Sequence, residues 1–140
     1  MKIRQLTVFA ENKTGYLAEI TGLFAKSGVD MKALSIADTK DFGILRIIVD
    51  DPDKALAVLK EHGFLGTITE VIGVEIKNTA GELSKALSAL AKDGVNVEYL
   101  YAFLSGNGDS AYVAIKATDN AAAEKTLIRA GYKNINGFSD

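Results

Sequence analysis

Apolar positions along the chain switch repeatedly between a spacing of two and a spacing of three to four. Leu6, Val8 and Ala10 alternate with Thr7 and Phe9, which is strand spacing. Leu17, Ile20, Leu23, Phe24 and Ser27 then follow helical spacing, and Gly28 stands where that helix stops. Leu34 and Ile36 open a second strand. Asp41-Phe42-Gly43 reads as a turn, and Ile44 to Val49 as a third strand. Asp51-Pro52 predicts a helix start, with an Asp cap and Pro at the first helical position. Ala55, Leu56, Val58 and Leu59 give that helix its apolar face, Gly63 ends it, and a last strand is expected near Thr67 to Val71. The order is β-α-β-β-α-β, a split βαβ unit of ferredoxin-like kind.

The same order returns in the second half. At an offset of 66 positions Asn12, Gly15, Leu17, Ala25, Lys26, Gly28, Val29 and Leu34 meet Asn78, Gly81, Leu83, Ala91, Lys92, Gly94, Val95 and Leu100. At an offset of 68, Asp51, Leu59 and Gly63 meet Asp119, Leu127 and Gly131, and Phe64 meets Tyr132. Such internal likeness points to a duplicated unit. Two domains are expected, residues 1–70 and 71–140, joined by the apolar, β-rich run from Thr67 to Ile76 rather than by a linker. In the second, Val74 and Ile76 mark a strand, and Leu83, Ala86, Leu87 and Leu90 line a helix. Val97 to Leu104 and Ala111 to Ala117 form a hairpin around Gly106-Asn107-Gly108, and Asp119 caps a helix carrying Leu127 and Ile128. The fold class is α+β: two βαββαβ units, antiparallel sheets with helices on one face.

The third strand carries Leu45, Ile47 and Val49 on one face and Ile44 and Ile48 on the other. Helices cover only one face of such a sheet, so the other face is expected to be buried too, against the sister unit or a second chain, and a homodimer is expected.

Composition then narrows the chemistry. At 48% hydrophobic residues the chain can build a core. Sixteen basic against eighteen acidic residues leave a net charge of −2, so nucleic acid is not expected as a partner. With no Cys and one His, His62, thiolate zinc sites, iron–sulfur clusters, cysteine nucleophiles and histidine triads are excluded. The absence of cysteine suits a reducing, cytoplasmic setting. No run long enough for a leader or a membrane span is present, so neither is expected. Asp50, Asp51 and Asp53 read as a solvated acidic turn, and His62 as a partner of a helix C-terminus. Tyr99, Tyr101 and Tyr112 alternate along strands and read as packing residues. No nucleophile has an adjacent base and no carboxylate pair is organised for proton transfer, so no catalytic residue, no metal and no cofactor is expected.

The most specific pattern lies between the first strand and first helix of each unit. It reads Glu11-Asn12-Lys13-Thr14-Gly15-Tyr16-Leu17 and again Lys77-Asn78-Thr79-Ala80-Gly81-Glu82-Leu83. Thirteen residues past each loop glycine stands Gly28-Val29-Asp30 or Gly94-Val95-Asn96. A glycine at a helix start admits a ligand close to the backbone, and the first-turn N–H groups of Gly15, Tyr16 and Leu17 can hold a carboxylate beside the positive helix end. Asn12 offers donors and an acceptor to a zwitterion. The bland alternatives are a cap or an Asx-turn at Asn12 and Asn78, and a capping box between Thr79 and Glu82.

The skeleton of Asn, two residues, Gly, one residue, Leu, then Gly-Val-Asp/Asn resembles the ACT domain family, small ferredoxin-like modules that bind amino acids and control metabolic enzymes. The resemblance covers both units. It departs at Thr14 and Ala80, where the family usually has Pro. It implies a free amino acid held where units meet, between the loop of one and the second strand of another. The implied ligand-binding residues are Asn12, Thr14, Gly15, Tyr16, Leu17, Asp30 and Met31, with Asn78, Ala80, Gly81, Glu82, Leu83, Asn96 and Val97 in the second unit. Asp30 suits a ligand ammonium and Asn96 supplies a neutral acceptor. The implied function is regulatory, modulating a partner enzyme of amino-acid metabolism. The alternative is an accessory subunit that binds a larger enzyme without binding amino acids. If the two-faced third strand is covered by a second copy, equilibrium sedimentation gives a mass near twice 14.9 kDa, and a clean monomer at micromolar concentration removes that expectation.

Overall fold

A computed structural model describes residues 2–104 and 108–135. The expected hairpin tip at Gly106-Asn107 lies outside the described residues. The elements run β1 (Lys2–Glu11), α1 (Tyr16–Ser27), β2 (Met31–Asp38), β3 (Phe42–Val49), α2 (Pro52–Glu61), β4 (Leu65–Lys77), α3 (Glu82–Lys92), β5 (Val97–Leu104), β6 (Ser110–Ala117), α4 (Asn120–Arg129) and β7 (Lys133–Ile135). The chain forms two compact units, Arg4–Thr69 and Glu70–Asp140, the second including Met1–Ile3. The β-rich join is one strand, β4, which runs through the division.

In the N-terminal unit β3 lies between β2 and β1, antiparallel to both, and β4 follows β1. Leu6 pairs with Ile47 and Val8 with Leu45, which puts the even positions of β1 and the odd positions of β3 on one face. That face is dry: Leu6, Val8, Leu45 and Ile47 are wholly buried against Ile20 and Phe24 of α1 and Ala55 and Leu59 of α2. On the opposite face the hydroxyls of Thr7 and Thr69 lie 2.9 Å apart, with the Gln5 amide donating to Thr7. Arg4 of β1 makes a two-pronged bond to Asp53 of α2, at 2.9 and 2.7 Å. That guanidinium holds the exposed Asp53 carboxyl below the ordinary carboxylate range.

The C-terminal unit repeats the plan. Its strand order is β7-β4-β6-β5, all neighbours antiparallel. Ile72, Val74 and Ile76 of β4 and Val113, Ile115 and Ala117 of β6 pack under Ala86 and Leu90 of α3 and Ala123 and Leu127 of α4. Asp93, just past α3, accepts from Thr126 at 2.7 Å and pairs with Arg129, which ties the two helices together.

Helix ends follow local chemistry. Asp51 accepts from the Lys54 N–H and Asp119 from the Ala122 N–H, each at 3.1 Å, as side-chain caps. One expectation changes, and one is met within a single chain. The β2–β3 turn sits at residues 39–41, not at Asp41-Phe42-Gly43. The Thr39 backbone N–H and hydroxyl donate to the Phe42 carbonyl, and the Thr39 hydroxyl accepts from the Phe42 N–H, which starts β3 at Phe42. On the second face of β3, Ile48 is 1% exposed within this single chain. Ile48 therefore needs no second copy to cover it, whereas Phe42 and Phe9 remain exposed.

Gly73 lies within β4 without a positive φ, and the side chains of Ile3 and Ile135 close over it. A methyl group there collides with both. Gly73→Ala is expected to cost about 1–3 kcal/mol through overpacking, read as a lower urea midpoint with an unchanged slope; a neutral or stabilising outcome would contradict this packing.

Candidate functional site

The loop before each first helix is built the same way twice. Gly15 (φ 91°) and Gly81 (φ 88°) stand at the N-caps of α1 and α3 in the left-handed region, with no side-chain cap. An L-residue with a Cβ is strained there, so the turn needs glycine. The Thr79–Glu82 capping box is not formed; instead the Glu82 N–H bonds the Thr79 carbonyl at 3.4 Å.

The asparagines hold the loops from the side. Asn12 donates through Nδ2 to the Asp38 carboxylate at 2.8 Å, and through its backbone N–H to the Asp41 carbonyl at 3.2 Å. Asn78 donates through Nδ2 to the Gly108 carbonyl at 3.0 Å, and its N–H bonds the Asp109 carbonyl at 2.9 Å. Each asparagine thus fastens the loop to residues at the end of its unit's β-hairpin, a role sequence reading missed. The signal was the pair of polar turns, Asp38 to Asp41 and Gly108-Asp109, at matching places.

The N–H groups divide into used and unused. The Tyr16 N–H bonds the Lys13 carbonyl at 3.4 Å, and the Glu19 N–H bonds the Gly15 carbonyl at 3.0 Å. Among the described residues the N–H groups of Gly15, Leu17 and Ala18 have no backbone partner. The free set therefore differs from the expected one: Tyr16 leaves it and Ala18 joins. Residues 12–18 line a surface depression of about 500 Å³. The Tyr16 side chain turns inward, 9% exposed, and packs over Gly43, where an added Cβ would lie 2.7 Å from its hydroxyl. Leu17 packs on the N-terminal core and Leu83 on the C-terminal one, while Thr14 and Ala80 are exposed. Glu82 has a side chain 17% exposed that accepts from Lys85 at 3.2 Å.

The second-strand residues form a separate group. The Asp30 N–H bonds the Asp50 carboxylate at 3.0 Å, and the Asp30 carboxylate pairs with Lys32 at 2.8 Å. Asn96 donates to the Thr118 hydroxyl at 3.1 Å. Met31 and Val97 pack against the cores of their own units. Within one unit, loop and strand entry stand at opposite ends of the first helix. For α1, 12 residues long, that is about 18 Å. The structure thus does not bring Gly15 and Asp30 together, nor Gly81 and Asn96.

The remaining polar candidates have structural partners. His62 sets Nδ1 3.0 Å from the Val58 carbonyl at the end of α2. Asp51 caps, Asp50 accepts from Asp30, and Asp53 pairs with Arg4. Among the described residues no group of three His, Cys, Asp or Glu is placed to hold a metal ion, and no helix is long and apolar enough to cross a membrane.

Comparison with known proteins agrees with this architecture. The model of a family described as an ACT domain pair matches residues 1–135. The crystal structure of protein BT0572 from Bacteroides thetaiotaomicron is 40% identical, with a TM-score of 0.90 over 96% of this chain and 92% of that one. The ligand-free regulatory subunit of aspartate kinase from Thermus thermophilus shares the fold at 19% identity, TM-score 0.66, over 91% of this chain and 92% of that one. A 49-residue stretch is 35% identical to the acetolactate synthase small subunit of Buchnera aphidicola, spanning 35% of this chain and 31% of that protein.

An added Cβ at Gly15 meets nothing within 4 Å, so its cost is in the backbone angle alone. Gly15→Ala and Gly81→Ala are each expected to lose about 1–2 kcal/mol of stability by chemical denaturation; no loss at either would mean the loop relaxes out of the left-handed turn.

Proposed function

The chain belongs to the family of ACT domain pairs, and from that premise we propose that it is a cytoplasmic regulatory protein that binds a free amino acid and modulates an enzyme of amino-acid metabolism. The observation that carries the reading is the loop that recurs at Gly15 and Gly81, with its N–H groups turned outward at a positive helix end. A carboxylate placed there gains charge-assisted bonds without displacing a backbone partner. Because loop and strand entry of one unit lie at opposite ends of a helix, a ligand touching both takes them from different units, of this chain or of a second copy. Asp30 then receives the ammonium, sharing its carboxylate with Lys32. Asn96, held by Thr118, is the weaker counterpart. No proton-transfer chemistry is assigned: occupancy changes packing where units meet and so biases a partner enzyme.

A second reading, an accessory subunit that binds a larger enzyme without an amino acid of its own, draws support from the partial likeness to an acetolactate synthase small subunit and from Thr14 and Ala80 in place of the stiffening Pro.

A thermal-shift screen of the twenty amino acids separates the two. A ligand at a hundred times its dissociation constant adds about 2.7 kcal/mol. With the best ligand in calorimetric titration, Gly15→Val and Asp30→Ala are expected to weaken binding by about 1–3 kcal/mol, and Asn96→Ala by less. Full affinity in a folded Gly15→Val protein would reduce the loop to a helix start, and no shift with any amino acid would leave the accessory reading.

A further inference from the structure

Three exposed apolar side chains of the N-terminal unit gather at one end of the sheet face that the helices leave open. Phe9 pairs with Ile44, and Glu11 with Phe42, across β1 and β3. The odd positions of β1 and the even positions of β3 lie opposite the helix-covered core. Counting by twos from Thr69, whose hydroxyl meets that of Thr7 on this face, puts Leu65 there as well. Phe9 is 39% exposed, Phe42 54% and Leu65 69%. Phe9 and Leu65, with Phe64, wall a concavity of about 300 Å³, and Phe42 projects from the strand beside β1.

The fold does not require this surface. At the matching places the C-terminal unit has Glu75 for Phe9, Ser110 for Phe42 and Lys133 for Leu65. That unit builds the same antiparallel pairing with these polar residues in it. Two phenylalanines and a leucine at a solvent-facing sheet end therefore answer to something outside the unit, and an exposed apolar surface of this kind marks a protein contact.

We propose that a second copy of the chain docks here, N-terminal unit against N-terminal unit about a two-fold axis. Charge argues for a copy of itself. The charges around the surface come in pairs of opposite sign, Glu11 with Lys13 at 3.9 Å and Lys40 beside Asp41 in the turn before Phe42. Such a rim has no net charge and complements its own two-fold image, Glu11 of one copy meeting Lys13 of the other. Shape argues the same way, because the surface holds both a projecting side chain and a hollow, and each copy's Phe42 enters the concavity of the other. The charged residues at the matching places of the C-terminal unit make it a poor counterpart for an apolar face, so the contact closes after two copies instead of running on as a chain. The three side chains supply about 300 Å² of apolar surface per copy, below the roughly 800 Å² per partner of a standard interface, so the dimer is a dissociable one. The proposal stands apart from the amino-acid reading.

Sedimentation velocity of the full chain from about 1 to about 500 µM tests it, the mass rising from 14.9 kDa towards twice that value. Phe42→Ser and Leu65→Lys install the sister unit's residues at exposed positions, and each is expected to raise the dimer dissociation constant by about tenfold or more. Glu11→Lys is expected to weaken the dimer by setting like charges face to face, and adding Lys13→Glu to restore it. Ile36→Lys, at an exposed residue of the edge strand β2, leaves the mass unchanged. With each variant shown to be folded by its melting curve, three results overturn the proposal: a monomer throughout the range, a dimer that Phe42→Ser and Leu65→Lys leave intact, or a dimer lost in Ile36→Lys.

Discussion

A left-handed glycine at the start of a helix is the constraint on which the rest of each unit depends. At Gly15 and Gly81 the chain leaves the first strand and enters the first helix in one turn, with no side chain capping the helix. Without such a cap, first-turn N–H groups stay open to a visitor. The turn is held instead by asparagine, which reaches sideways to the hairpin end of its own unit. One residue thus lets the backbone turn and another stops the loop from collapsing onto the groups it exposes. The same device twice in one chain, at nearly the same φ, shows that the geometry outlasted most of the sequence identity between the copies.

Divergence acted on what surrounds the turn. Directly after the glycine the N-terminal unit has Tyr16, which packs over Gly43 as core, and the C-terminal unit has Glu82, which brings a carboxylate to the same place. At the second strand Asp30 is a charge already shared with Lys32, whereas Asn96 is neutral and bonded to Thr118. The backbone plan is common, and the electrostatics of the two units are not. Sites formed at matching positions therefore differ in what they attract, as expected where fold is retained and side chains are free to change.

Much of the fold was legible because periodicity and caps are local. The alternation through Leu6, Val8 and Ala10 placed β1, and Asp51-Pro52 placed the start of α2. The β2–β3 turn was misplaced because Asp41-Phe42-Gly43 carries turn residues while the deciding group is the Thr39 hydroxyl, which bonds across to Phe42. Ile48 was read as buried against the sister unit or a second chain, and its burial holds, but sequence spacing assigns a side chain to a face and says nothing about what covers it. The roles of Asn12 and Asn78 were invisible for the same reason: Asp38 lies 26 residues and Gly108 30 residues along the chain. The N–H inventory failed at Tyr16, where a bond three residues back replaces a free donor with a used one.

The length of the first helix fixes how such a protein can respond to a ligand. In the proposed reading a carboxylate on the loop and an ammonium at the strand entry belong to one small molecule, but in a single unit these points stand about 18 Å apart. A single unit cannot close on both ends of an amino acid. Either a second unit completes the site, and binding energy goes into how units pack, or the ligand is held wholly within one unit and its effect stays local. Only the first arrangement couples occupancy to quaternary or domain packing, which is the differential affinity that regulation requires.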